Sequence, residues 1–321
     1  HWFGYLNNDL AEFYYPEKIW KNETEITLPG NLGGKRGQYS NDLMTDEALA
    51  FMDANRAKPF FLYLAYTIPH SLLEVPADSL AEYAGKFPEP PPSGKGGKND
   101  TAQPRATFAG MVSRLDREVG RVLARLKALG LEENTVVFFC SDNGAPERNG
   151  LAQFFGSTGP FRGYKGSLWE GGIHAPMIVR WPGKIAAGKR SDFPWAGWDL
   201  LPTAAALAGT TPPSNIDGID VMPALRDGRR ERPGYLYWEN VQSVFAQAVR
   251  LDPNDIKYII VTHAHDDRYW GAKALQEAYP KARLAMSAAD WDLVAKDNSP
   301  AEFKPRKDMV VTDGQKITLG D

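Results

Sequence analysis

Val136-Val137-Phe138-Phe139-Cys140-Ser141-Asp142-Asn143-Gly144 is the stretch that decides the fold class. Five apolar residues in a row are too few for a helix and leave no polar face, so they predict a strand buried on both sides. The run delivers Ser-Asp-Asn-Gly, a turn sequence, at its C-terminal end. Upstream, Phe108, Met111, Val112, Leu115, Val119, Val122, Leu126 and Leu129 keep helical spacing and Gly130 supplies a stop, which predicts a helix over 108–129. Further upstream, Pro59-Phe60-Phe61-Leu62-Tyr63-Leu64-Ala65-Tyr66 repeats the buried-strand pattern and leads to Thr67-Ile68-Pro69-His70. Strand, helix and strand in this order predict an α/β domain with a parallel sheet covered by helices, in which ligands bind beyond the carboxyl ends of the strands. His70 and Asp142 both fall at such ends. Short helices are predicted over 46–55 and 199–208, a strand over 175–180, and a solvated loop over 87–104, where Pro, Gly and Lys concentrate.

The 321 residues are 43% apolar and 24% charged, enough for a sizeable core and for two domains. Thirty-seven Lys and Arg against forty Asp and Glu leave a formal charge of −3 with no long single-sign run. That balance argues against nucleic acid or a membrane surface as partner and favours small or neutral ligands. No stretch is long enough to span a bilayer, and His1-Trp2-Phe3-Gly4 does not open a signal peptide. One cysteine, Cys140, excludes an internal disulfide framework and a Cys-rich zinc site; inside the strand it is expected to be a core residue and not a nucleophile. Beyond Arg250 the texture changes: 256–262 reads as a strand, His263-Ala264-His265-Asp266-Asp267 as a polar loop, and 271–279 as a helix. Two domains are therefore expected, over 1–245 and 250–321.

Asp142 and Asn143 place a carboxylate and an amide oxygen on one turn, the hard donors that calcium or magnesium selects. Taken alone, Asp-Asn-Gly is equally an ordinary turn. Its surroundings add more. Met111 to Gly144, with a Ser-Arg-Leu-Asp-Arg-Glu-Val-Gly helix, a Leu-Gly-Leu loop and the Ser-Asp-Asn-Gly end, resembles the sulfatase family. So do Phe3-Gly4-Tyr5-Leu6-Asn7, Tyr14-Tyr15-Pro16, Phe60 to His70, Phe161-Arg162-Gly163-Tyr164-Lys165-Gly166, Trp169-Glu170-Gly171-Gly172-Ile173 and Asp199-Leu200-Leu201-Pro202-Thr203, in the family's order. The resemblance covers about 1–240. It implies an alkaline-phosphatase-like α/β fold, a sheet with helices on both faces, and hydrolysis of small-molecule or carbohydrate sulfate esters with one calcium ion. By the same resemblance Asp142 and Asn143 are the second pair of metal ligands, His70 binds sulfate and assists the leaving group, and Lys165 binds sulfate. Such roles suit a sulfuryl group in transfer, whose oxygens need cations and preorganised donors. His174 is expected to be structural or peripheral. The family begins with a strand ending in paired aspartates, followed by a Cys or Ser in a C-x-P-S-R-like motif whose side chain becomes formylglycine. Neither occurs in these 321 residues, so a truncated catalytic domain with half a metal site and no turnover is expected.

Thr262-His263-Ala264-His265-Asp266-Asp267-Arg268 resembles the His-x-His-x-Asp-His signature of the metallo-β-lactamase superfamily, and 251–321 is similar to its lactamase members. The resemblance implies a zinc hydrolase in which His263 and His265 share one ion and Asp267 ligates a second or orients its hydroxide. Arg268 stands where the last histidine belongs and cannot ligate in its charged form. No histidine follows His265, so this zinc site too is expected to be incomplete. Two solvent-facing histidines in a polar loop is the plainer reading. Three functions stay open: a sulfatase-type hydrolase, inactive as the chain stands; a zinc-dependent lactamase-like hydrolase in the C-terminal segment; and a non-catalytic sulfate- or ligand-binding module built on His70 and Lys165.

Overall fold

The computed structural model describes residues 1–70, 72–91, 101–148, 150–228, 232, 234–240, 246–250, 258–261, 264 and 271–316. They form two compact units, His1–Arg190 and Ser191–Asp321. The join expected near 245 falls inside the second unit, because it is read from a change in sequence texture and compactness follows from packing.

In the first unit, β1 (Phe3–Gly4), β2 (Lys18–Lys21) and β3 (Thr24–Thr27) make an antiparallel sheet. Asn22 turns the β2–β3 hairpin with a left-handed φ of 51°, a conformation asparagine tolerates. After the one-turn α1 (Asn8–Ala11) come α2 (Ser40–Asn55), α3 (Ala77–Ala81) and the long α4 (Pro104–Ala128). Helix α2 starts six residues before its predicted position and α4 four residues before, with Pro104 at the first turn, where the missing N–H costs nothing. Met111 of α4 packs with Tyr14, Tyr39, Ile68, Leu72, Leu73 and Leu151 into the largest core cluster.

The rest of the α4 surface is held by charge. Arg114, Arg117, Arg121 and Arg125, spaced along one side, reach Asp42, Asp46 and Asp53 of α2 and Asp78 and Glu82, in and beside α3. Arg114 Nε donates to Asp42 Oδ1 at 2.7 Å, and Arg114 Nη1 to Asp78 Oδ1 at 2.9 Å. The hydrogen bonds that Arg114 donates to Asp42 outweigh desolvation and hold the guanidinium in its charged form. Val112, expected on the buried face, is exposed, while the polar Thr107 and Glu118 are buried. Ion pairing, not only the apolar stripe, sets which way this helix faces.

Two expectations are corrected. Residues 59–66 form no ladder with any described residue, and Phe61 and Tyr63 are 70% and 76% exposed. A continuous apolar run signals a strand covered on both faces only where both covering layers exist; here alternate residues are half-buried and the others face out. The second strand, β4 (Val137–Cys140), pairs antiparallel with β5 (Met177–Arg180), Val137 opposite Arg180 and Cys140 opposite Met177. With one neighbour and an open face, Cys140 is exposed and not a core residue. Partial desolvation and then the Asp142 charge still push its thiol upward, which opposes thiolate chemistry. Between β4 and β5 lie α5 (Leu151–Phe155) and α6 (Glu170–Ile173).

The second unit contains α7 (Leu200–Leu207), α8 (Met222–Asp227), an antiparallel pair β6 (Leu236–Asn240) and β7 (Ala246–Arg250), and a parallel sheet of order β10–β9–β8. Strands β8 (Tyr258–Ile260), β9 (Arg283–Ser287) and β10 (Met309–Val311) pack with α9 (Ala272–Ala278) and α10 (Ala288–Lys296) around Val261, Leu284, Met286 and Trp291. Ser287 caps α10, and Asp290 accepts the Ala264 N–H at 3.0 Å, so the 287–290 stretch has a structural duty. Asp199, fully buried, accepts two guanidinium bonds from Arg232 and backbone N–H bonds from Ala196 and Ile219. Four donors around one buried carboxylate explain this part of the Asp-Leu-Leu-Pro-Thr motif as structure.

Removing Arg114 strands the Asp42 and Asp78 charges at a partly covered helix interface. Arg114→Ala is therefore expected to lower stability by about 2–3 kcal/mol in urea unfolding followed by far-UV circular dichroism.

Candidate functional site

His70 is held through the Thr67 turn by Asn41, which carried no signal in the sequence, and by Tyr14 of the Tyr14-Tyr15-Pro16 motif. Asn41, fully buried in the first turn of α2, accepts the Thr67 N–H on Oδ1 at 3.0 Å and donates from Nδ2 to Thr67 Oγ1 at 3.3 Å. The buried Tyr14 donates its hydroxyl to the Thr67 carbonyl at 3.4 Å. Burial pushes that phenol far above its usual range, so it stays a donor. The Thr67 carbonyl also takes the His70 N–H at 3.1 Å, closing the turn that presents the imidazole.

Lys165 arrives from a different part of the chain, and glycines bring it there. The Gly144 N–H donates to Gly172 O at 2.9 Å, the Gly171 N–H to Arg162 O at 2.8 Å, and the Lys165 N–H to Ala145 O at 3.0 Å. A Cβ on Gly144 would lie 1.9 Å from Gly171 O, and one on Gly171 2.1 Å from Gly163 O. Only glycine permits backbones this close. The Asp-Asn-Gly turn after β4 and the 162–172 loop are thereby stitched together.

The result is a contact between Lys165 Nζ and His70 Nε2 at 3.1 Å, across 95 positions of sequence. The ammonium can only donate, so Nε2 accepts and the imidazole proton sits on Nδ1. Glu12 Oε1 lies 3.9 Å from that Nδ1. Desolvation first, then the charge of Lys165, lower the His70 pKa; Glu12 opposes them, and Arg148 adds a smaller lowering that Asp142 partly offsets. His70 is therefore neutral near pH 7. Asp142 is close enough to act on this ring electrostatically. Asn143 follows it, donating from Nδ2 to Gly144 O at 3.1 Å, which leaves its amide oxygen available.

A cleft beside His70 is walled by Pro69, Leu73, Phe108 and Pro146, with Arg148 also lining it. Arg148 and Glu12 carried no signal in the sequence, since a charged residue in a loop reads as a solvated surface. His174 pairs through Nδ1 with Glu170 at 2.9 Å and stacks on Phe161, ring centres 4.5 Å apart.

Asp142 and Asn143 offer a cation at most three side-chain oxygens, two from the carboxylate and one from the amide. Calcium takes about six to eight. Among the described residues no group of three or more His, Cys, Asp or Glu could hold a metal, so the donor set present does not fit a calcium ion by itself. His263, His265 and Asp267, together with Arg268, lie outside the described residues.

The sulfatase family model matches residues 1–210, and the metallo-beta-lactamase superfamily model matches 227–290. Steryl-sulfatase of Mus musculus is 36% identical over 218 residues, 64% of this chain and 31% of that protein. N-acetylgalactosamine-6-sulfatase of Mus musculus is 32% identical over 249 residues, 70% of this chain and 44% of that protein. Among solved structures, Ps i-CgsB in complex with k-i-k-neocarrahexaose superposes with a TM-score of 0.58 at 31% identity, covering 73% of this chain and 47% of that one. The chain belongs to the sulfatase family, and its α/β fold is the alkaline-phosphatase-like fold of that family. It spans less than half the length of these relatives.

Two outcomes are expected. Gly144→Ala should cost at least about 3 kcal/mol of stability in thermal unfolding, since backbone and not a flexible side chain must give way. In NMR titration the His70 ring should show a midpoint below the ordinary 6.5 or so, raised in Lys165→Gln and lowered further in Glu12→Gln.

Proposed function

We propose that this chain binds sulfate esters of small molecules or carbohydrates as the sulfatase-type part of a catalytic domain over 1–245, with a lactamase-like fragment over 250–321. The observation that carries this reading is the Lys165–His70 contact, 3.1 Å long, next to Asp142 and Asn143. An ammonium and an uncharged imidazole at that spacing form a pair of donors for one tetrahedral anion once Lys165 turns from the ring to the ligand. Lys165 balances the charge of the sulfate. His70 donates to the ester oxygen from Nε2 once its single proton has exchanged through water from Nδ1 to Nε2, and that hydrogen bond is the assistance it offers a leaving group. The Thr67 turn, fixed by Asn41 and Tyr14, sets the orientation of the ring.

Asp142 and Asn143 are proposed as two ligands of a calcium ion, which when bound supplies Lewis-acid stabilisation of the sulfuryl oxygens. They do not complete its coordination. These 321 residues contain no C-x-P-S-R-like motif, and Cys140 is neither placed nor ionised to replace one. The chain as it stands is therefore proposed to bind without turnover, since a missing covalent nucleophile removes the route itself. The zinc reading of His263, His265 and Asp267 rests on the superfamily match alone.

Inorganic sulfate and an aryl sulfate are expected to shift the His70 ring resonances, with the effect lost in Lys165→Ala. No aryl sulfate hydrolysis is expected with added calcium; activity abolished by Lys165→Ala would overturn the non-catalytic reading. Isothermal titration with zinc should give binding no tighter than micromolar, weakened by His263→Ala and without β-lactam hydrolysis, because two imidazoles lack the third protein ligand of catalytic zinc.

A further inference from the structure

We propose that Arg148 binds a second anionic group on the ligand, so that the cleft beside His70 selects sulfate esters whose alcohol portion carries another sulfate or a carboxylate. The inference rests on the sulfate-binding reading of His70 and Lys165. Four observations support it. Arg148 lines the same cleft as His70, across apolar walls formed by Pro69, Leu73, Phe108 and Pro146. Its guanidinium has no hydrogen bond or ion pair among the described residues, whereas Arg114, Arg117, Arg121 and Arg125 each face a carboxylate. Its charge nevertheless reaches His70. Its loop is tied to that of Lys165: the Lys165 N–H donates to Ala145 O at 3.0 Å, and the Leu151 N–H to Arg148 O at 2.9 Å. The two cations are thus carried on linked backbone.

Charge then decides what the second cation is for. A sulfate half-ester carries one negative charge, which Lys165 matches. Glu12 lies against the far nitrogen of His70, and Asp142 belongs to the proposed cation site, so neither serves Arg148 as an ion-pair partner. A planar guanidinium with five donors free of protein partners favours a carboxylate or a second sulfate, which it grips bidentately, and the apolar lining of the cleft around Arg148 strengthens that attraction. A ring lying on Pro69, Leu73, Phe108 and Pro146 would sit between His70 and Arg148 on the cleft lining.

The test compares N-acetylglucosamine 6-sulfate with glucosamine 2-N,6-O-disulfate, titrated calorimetrically into the full chain at low salt. The disulfate is expected to bind roughly tenfold more tightly, a ratio that falls to about one in Arg148→Gln and recovers in part in Arg148→Lys. Circular dichroism establishes that the variants are folded. Equal affinities for the two sugars, both lost in Lys165→Gln, would overturn the role of Arg148 and leave the sulfate site standing. A preference that survives Arg148→Gln overturns it as well. Binding of neither sugar would sink both this inference and the reading beneath it.

Discussion

Backbone meets backbone around Gly144, Gly163 and Gly171 at distances that no side chain tolerates, and the candidate site depends on that contact. The Asp-Asn-Gly turn and the Lys165 loop are separate in sequence, yet the Gly144 N–H and the Lys165 N–H each bond to the opposite segment. With the turn fixed to the loop, Asp142 and Asn143 hold their place relative to Lys165. The imidazole is brought in from the other side by the Thr67 turn. Each side chain with proposed chemistry is therefore one step removed from a rigid backbone contact.

Electrostatics in the first unit divides into two regimes. Along α4, arginines face carboxylates at short range, and their effect is to orient the helix on α2 and α3. Near His70 the cations Lys165 and Arg148 lack such carboxylate partners among the described residues, and burial, with the Lys165 charge next, disfavours the charged imidazole. Both cations are exposed, so water solvates them in the free chain and leaves their donors open to a ligand. That contrast marks the 67–70, 142–148 and 162–172 segments as a place for an anion.

The extended segment 59–66 has the composition of a central strand and the exposure of an edge. Phe61 and Tyr63 present large apolar surface, and Ile178 of β5 does the same. The matched regions make up 31% and 44% of the two mouse relatives, which carry further chain outside them. In the second unit, by contrast, β8, β9 and β10 find parallel neighbours and covering helices within reach, and the buried core follows from the apolar pattern.

Sequence alone determined the elements whose signal is local. Helix α4 with its Gly130 stop, α7 over the expected 199–208 stretch, β4, β8 and α9 follow from periodicity and stop residues, and the family follows from ordered motifs. It also supplied His70, Asp142, Asn143 and Lys165 as candidates, because each sits in a distinctive short motif. Tertiary structure decided the rest. That β4 pairs antiparallel, that residues 59–66 find no strand partner among the described residues, and that Cys140 faces outward depend on which neighbours pack beside them, which no run of residues encodes. Asn41, Glu12 and Arg148 were illegible because their meaning lies in what they face: a buried asparagine bonding a turn 26 positions away and an arginine beside an imidazole look, in sequence, like any helix start and any loop. Contacts across such separations are set by packing of the whole unit, and local pattern carries no information about them.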